Sequence, residues 1–304
     1  MSTIEGFIRR RVDCGEVTLS VQEAGRNPSG GTGEPIILLH GYPQNGLCWS
    51  RVAPDFARHF HTLVPDLRGY GHSDAPPDDA EHSSYSKRRM AADIIGLMDA
   101  LEIPRAMILG HDRGARVAYR LALDHPDRVS KLGIIEIVPT VEYWDAWNAD
   151  VALKAYHWTF LAQPAPVPER MIQADPQAYF DHTLRAWTLA RSLHAFPPEA
   201  LASYHAQARE PDRVAAMCAD YRAGASFDRA LDAADRAAGR RISAPLRFLW
   251  AEGGFPASTG DPLATWRRWA EEVSGNSCVS GHFVMEENPQ AVLESFLPFF
   301  GASR

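Results

Sequence analysis

The chain has 304 residues, 45% of them hydrophobic, and a formal net charge of −7, which supplies material for a buried core and excludes a disordered chain. The acidic balance argues against nucleic acid as a partner, although a local group of arginines could still hold one small anion. No apolar run approaches the roughly 18 residues of a spanning helix, and MSTIEGFIRR lacks the apolar stretch of a secretory signal, so a cytoplasmic protein with no membrane partner is expected.

In chain order, Phe7 to Glu23 alternates apolar and polar residues around Cys14-Gly15, which predicts an antiparallel hairpin. Short apolar runs at Pro35–His40, His61–Asp66, Arg105–Gly110, Lys131–Val138 and Pro245–Ala251 read as buried parallel strands. Helix-period text separates most of them, at Trp49–Phe60, Tyr85–Leu101 and Arg113–Leu123, and closes the chain at Ala291–Phe300. This βα alternation predicts a mainly parallel sheet flanked by helices. From residue 139 to 241 the strand signal disappears. Ala-rich and aromatic text broken at Pro164, Pro166, Pro168 and Pro197-Pro198 predicts an all-helical cap inserted into a core of residues 1–138 and 242–304. Its last stretch, Ser226–Arg241, reads as a solvated helix. The four cysteines, Cys14, Cys48, Cys218 and Cys278, form no CxxC pair, and none of the twelve histidines lies in a ligand spacing. Reduced packing cysteines, no metal and no cofactor are therefore expected.

The strand ending at Gly110 runs into Gly110-His111-Asp112-Arg113-Gly114 and then into helical text, the pattern of a nucleophile elbow with Asp in the Ser position. Carboxylate attack on an ester or amide would give a high-energy anhydride. Attack on saturated carbon gives an ordinary ester, so Asp112 points to displacement at sp³ carbon followed by hydrolysis of the aspartyl ester. His282 occupies the place of the general base in the order nucleophile, acid, histidine. Glu136 follows the strand after the elbow helix and is preferred as the orienting acid over Glu252 and Asp261, which follow the next strand. Backbone N–H groups of Tyr42 and Arg113 are expected to form the oxyanion hole. Arg113 directly follows the nucleophile and Arg116 lies a helical turn beyond Asp112. Guanidinium geometry suits them to clamp a substrate carboxylate that the ionised Asp112 would otherwise repel.

With these residues in place, the chain resembles the fluoroacetate (haloacetate) dehalogenases, α/β hydrolases related to haloalkane dehalogenases and epoxide hydrolases. The likeness runs nearly end to end and implies an α/β-hydrolase fold and hydrolysis of a small haloacid to a hydroxy acid plus halide. It implies Asp112 as nucleophile, His282 as base and Arg113 and Arg116 as clamp. In Tyr156-His157-Trp158 and Asp220-Tyr221-Arg222 it implies His157, Trp158 and Tyr221 as halide donors; Trp187 matches a further residue near the pocket, read as packing or gating. Without the resemblance these cap aromatics read as core. The family also implies a homodimer. Its pattern has Asp where this chain has Glu136, and the added methylene is expected to shift His282 slightly and to favour chloroacetate over fluoroacetate. An epoxide hydrolase using the same Asp and cap tyrosines Tyr156 and Tyr221 is the rival enzyme; a non-catalytic binding protein on the same fold is the rival of another class.

Overall fold

The computed structural model describes residues 2–25 and 33–302. Eight strands form one sheet in the order β1-β2-β4-β3-β5-β6-β7-β8. They span Ile8–Asp13 (β1), Thr18–Ala24 (β2), Pro35–Leu39 (β3), His61–Pro65 (β4), Ala106–His111 (β5), Val129–Ile135 (β6), Leu246–Ala251 (β7) and Val273–Cys278 (β8). The expected hairpin is present, with β1 antiparallel to β2 and β2 antiparallel to β4; all other pairings are parallel. The continuous apolar text of β3, β4 and β5 fits burial on both faces, and every residue of β4 and β5 is buried.

Outside the cap lie α1 (Ala53–Ala57), α2 (Lys87–Ala100), α3 (Asp112–Asp124), α12 (Pro262–Trp269), α13 (Val284–Glu287) and α14 (Pro289–Phe300). The helix expected over Trp49–Phe60 is shorter: a 3₁₀ turn at Gly46–Trp49 precedes α1, which starts on Pro54 at its first turn. Three elements outside the cap escaped the sequence reading: β8, α12 and the four-residue α13. β8, VSGNSC, is an edge strand with one apolar residue at its start and carries no apolar run; α12 is a short helix whose two tryptophans, Trp266 and Trp269, are buried.

Between β6 and β7 the chain forms helices only: α4 (Thr140–Asp145), α5 (Ala149–Lys154), α6 (Tyr156–Leu161), α7 (Val167–Ala174), α8 (Pro176–Trp187), α9 (Pro198–Ala208), α10 (Pro211–Ala225) and α11 (Phe227–Ala237). Among the described residues no helix is long and apolar enough to cross a membrane. The reading of Ser226–Arg241 as a solvated helix needs correction. In α11, Asp228, Asp232 and Asp235 are buried, because this face meets Lys87 of α2 and Arg120 of α3 and finds cations there.

α3 explains that docking. Its residues from Asp112 to Leu123 are all buried, and Arg113, Arg116 and Arg120 recur at helical spacing along one face. Arg120 donates to Asp232 at 2.7 Å and to Asp235 at 2.5 Å, while Arg113 donates to Asp220 of α10, through Nε at 3.1 Å. The Tyr119 hydroxyl, from the same helix, donates to Asp232 at 2.7 Å. The cap is therefore fixed to the elbow helix by buried charge as well as by apolar contact. Arg120→Met should lower unfolding stability by about 3 kcal/mol, because it strands buried carboxylates. Restoring an apolar partner with Arg120→Met/Asp232→Leu should recover most of the loss. Urea melts of both variants check this; a single variant as stable as the parent would contradict it.

Candidate active site

The carboxyl ends of β3, β5, β6 and β8 deliver the site, the crevice where ligands enter open α/β sheets. Asp112 begins α3 directly after β5 with φ +48°, a left-handed conformation that side chains seldom adopt and that marks a tight, strained turn. The turn is possible because Gly114 has no Cβ; one there would strike the carbonyl oxygens of Leu39 and His40. The Tyr42 N–H, just after β3, donates to Asp112 Oδ1 at 2.8 Å. This leaves Oδ2 facing His282, whose Nε2 is 3.7 Å away. On the other side of the ring, Nδ1 lies 3.8 Å from Glu136 Oε1.

Glu136 follows β6, also with positive φ (+61°), and is fully buried. Its carboxylate is anchored by the N–H groups of Ala251 (2.7 Å) and Phe255 (3.1 Å). Of the alternatives, Glu252 is exposed and Asp261 caps α12 by accepting from the Ala264 N–H at 2.9 Å; neither faces His282. Burial opposes charge on Asp112, but His282, His111 and Arg113 outweigh it and hold the carboxyl well below its usual range. Burial likewise opposes charge on His282, and here Asp112 and Glu136 win, pushing the imidazole up to about 9.

The two arginines differ in a way their spacing did not show. Arg113 shares Asp220 with Lys87, and the Tyr70 hydroxyl donates to the same carboxylate at 3.0 Å. Burial opposes charge on Asp220, but the two cations keep it ionised. Only Nη1 of Arg113 is left without a partner. Arg116 donates through Nη1 to the Val138 carbonyl (3.1 Å) and to Thr140 Oγ1 (3.0 Å), both neutral. It forms no ion pair among the described residues, and its Nε is buried and unpartnered. Arg116 also lies 4.6 Å from the Trp158 ring centroid.

From the cap, α6 brings His157 and Trp158, α10 brings Tyr221 and α8 brings Trp187 to the same place. The His157 ring lies 4.3 Å from Trp187 and 5.5 Å from Tyr221, centroid to centroid. His157 Nδ1 and the Tyr221 hydroxyl are buried without partners, and burial holds His157 neutral. Trp187 packs edge-on against His282 at 5.5 Å. All ten residues expected in the site therefore converge. Tyr156 does not join them; it lines an outer cavity of about 580 Å³ whose inner wall is His282 and Glu136. A narrower inner pocket of about 10 Å³ is lined by Asp112, Arg116, His157, Trp158 and His282, at the lower limit for one water.

The sequence reading missed Tyr143. From α4 it reaches the inner pocket, and its hydroxyl is buried with no partner; the text VEYWD gave no signal, since its first turn borders a strand end that only the fold brings to the site. No group of three or more acidic, His or Cys side chains suited to a metal occurs among the described residues.

The fold and site define a class. The chain belongs to the α/β-hydrolase fold family, whose model matches residues 34–276, and it is a hydrolase of that fold. It is 38% identical to a fluoroacetate dehalogenase of Burkholderia sp over 96% of this chain and 94% of the relative, and 31% identical to a soluble epoxide hydrolase of Corynebacterium sp over 90% and 92%. A solved structure from Nostoc sp PCC 7120, assigned to the α/β hydrolases, superposes with a TM-score of 0.93 at 40% identity, covering 99% of this chain and all of the other.

The coupling of His282 to Asp112 has a measurable sign. A histidine whose folded pKa is raised stabilises the fold fully below about 6.5 and loses that contribution as pH rises through about 9. In an NMR titration the His282 imidazole should keep its proton at pH 8, and in Asp112→Asn it should titrate clearly lower. An unchanged titration in the variant would break the coupling.

Proposed function

We propose that the protein hydrolyses the carbon–halogen bond of a small 2-haloacid, haloacetate above all, giving glycolate and halide. The observation that carries this reading is Arg116: a buried guanidinium in the pocket, a turn from the nucleophile, with neutral partners only. A buried cation with no counter-ion is costly, and a substrate carboxylate would complete it. Arg113, already paired with Asp220, contributes its one unpartnered nitrogen.

In the first step Asp112 Oδ2 displaces the halogen from the α-carbon, forming an aspartyl ester and breaking the carbon–halogen bond; Oδ1 stays on the Tyr42 N–H. His157, Trp158 and Tyr221 carry N–H and O–H donors toward the departing halide, which matters most for fluoride, a poor leaving group. Esterification removes the charge on Asp112 that helped hold the proton on His282, so the ring, now facing Glu136 alone, loses that proton more readily. As a neutral base His282 takes a proton from water, which adds to the ester carbonyl carbon. The oxyanion forms on Oδ1 against the Tyr42 N–H, joined by the Arg113 N–H at the start of α3. Collapse breaks the Cγ–Oδ2 ester bond, the proton held by His282 passes to the departing alkoxide to give glycolate, and the Asp112 carboxyl, carrying the water oxygen, returns to its ionised form.

Epoxide hydrolysis passes through the same ester, and the unpartnered Tyr143 and Tyr221 hydroxyls favour it as the second reading, since an opening epoxide needs an acid. A neutral epoxide leaves Arg116 without a counter-ion. The discriminating assay offers chloroacetate, fluoroacetate and styrene oxide in parallel. Halide without diol is expected, chloroacetate turning over faster than fluoroacetate; diol without halide would reverse the assignment.

Asp112→Asn should abolish turnover. Arg116→Ala should raise KM by at least about 10-fold, the scale of a lost charge-assisted hydrogen bond, and should do so more than Arg113→Ala. Steady-state kinetics on chloroacetate check both; full activity in either Asp112→Asn or Arg116→Ala contradicts its role. The tight inner pocket predicts that haloacetate outruns 2-halobutyrate, compared by kcat/KM.

A further inference from the structure

The backbone of His282 is not held by the core alone. Its N–H donates to the Trp187 carbonyl at 2.8 Å, at the end of cap helix α8. On the other side, the His282 carbonyl lies 2.8 Å from His111 Nε2, the residue before the nucleophile. Close by, at the end of α13, the carboxylate of Glu287 collects three backbone N–H groups. Oε2 accepts from Leu189 at 2.7 Å and Gly281 at 3.2 Å, and Oε1 accepts from Phe283 at 3.1 Å. Gly281 and Phe283 bracket His282; Leu189 lies two residues beyond Trp187 in the cap. The approach is close enough that a Cβ on Gly281 would strike the Leu189 nitrogen, the Trp187 carbonyl and Glu287 Oε1.

We propose that Glu287 is a positioning residue for His282, clipping the cap strap Trp187–Leu189 to the histidine loop so that the base is placed only while the strap is seated. The proposal rests on the reading of His282 as the base of the second half-reaction. The strap also rims the outer cavity, which Trp187, Thr188 and Leu189 line, so the segment that a substrate passes is the one that anchors the base. Alkylation of Asp112 does not need His282, whereas ester hydrolysis does. The carboxylate is suited to the task because it has only acceptors. An amide in its place offers one oxygen and turns a donor toward a backbone N–H.

The test separates the two half-reactions by rapid quench with chloroacetate, reading released chloride and, by intact mass, protein carrying a carboxymethyl adduct. In Glu287→Gln the chloride burst should stay within about threefold of the parent. Ester hydrolysis should fall about 10- to 100-fold, the cost of a misplaced catalytic group, so that the adduct accumulates. Leu189→Pro, at a position that is 61% exposed and follows an already extended Thr188 (φ −77°, ψ 151°), removes the strap's N–H and puts the proline Cδ where that hydrogen met Glu287 Oε2, so it unseats the strap. It should shift the balance in the same direction. Glu287→Asp, which keeps the acceptors, should recover part of the hydrolysis rate. Ester hydrolysis at the parental rate in Glu287→Gln, or both half-reactions falling by one factor, overturns the proposal. If the parent protein releases no chloride, the haloacid reading fails instead, and the His282 imidazole NMR signals decide on Glu287: signals displaced in Glu287→Gln and Leu189→Pro support the clip, and unchanged signals overturn it.

Discussion

The arginine face of α3 is the constraint on which the rest of the site depends. Three guanidiniums are buried along one helix that also begins with Asp112, the proposed nucleophile, and buried cations persist only with partners. The cap meets this demand at both ends, with Asp220 on Arg113 and with Asp232 and Asp235 on Arg120. The middle position, Arg116, is left to neutral acceptors. In the proposed function, docking of the cap and selection of an anion follow from one feature: cap acids satisfy the outer arginines, and the space between them holds the cation that a substrate would complete. The same pairing places Tyr221, the neighbour of Asp220, over Arg113 with its ring centroid 4.3 Å from the guanidinium carbon.

A second coupling runs through the charges of the site. Asp112 and Glu136 stand on opposite sides of the His282 ring, 3.7 and 3.8 Å from its nitrogens, and together keep it protonated in the resting protein. In the proposed cycle, consumption of the Asp112 charge by the substrate is what turns the ring into a base, so the order of the two half-reactions is written into the electrostatics. The Glu136 carboxylate is fixed by two backbone N–H groups, that of Ala251 at the end of β7 and that of Phe255 just beyond it.

Much of this was legible in the sequence because it lies in local patterns. The elbow around Asp112 is contiguous, the core strands are unbroken apolar runs, and the position of His282 follows from chain order. What was not legible depends on non-local contact. Arg113 and Arg116 look alike in text, and only the distant Asp220 separates their roles. The acids of α11 read as solvated because the buried cations they meet, Lys87 and Arg120, lie more than a hundred residues earlier in the chain. β8 is polar since it closes an edge, and Tyr143 and Glu287 become site residues only when the cap folds over the strand ends. Glu136 was preferred over Glu252 and Asp261 from chain position, and it is the acid that stands 3.8 Å from His282 Nδ1.

The central claim is that Asp112 forms an ester with the substrate carbon and that water then attacks the carboxyl carbon of the protein. A single turnover of chloroacetate in ¹⁸O-water, with enzyme in excess, tests it most directly. Unlabelled glycolate is expected from this first turnover, with ¹⁸O in the peptide containing Asp112. Label in the glycolate with none in that peptide would mean that water attacks the substrate directly, and would contradict it.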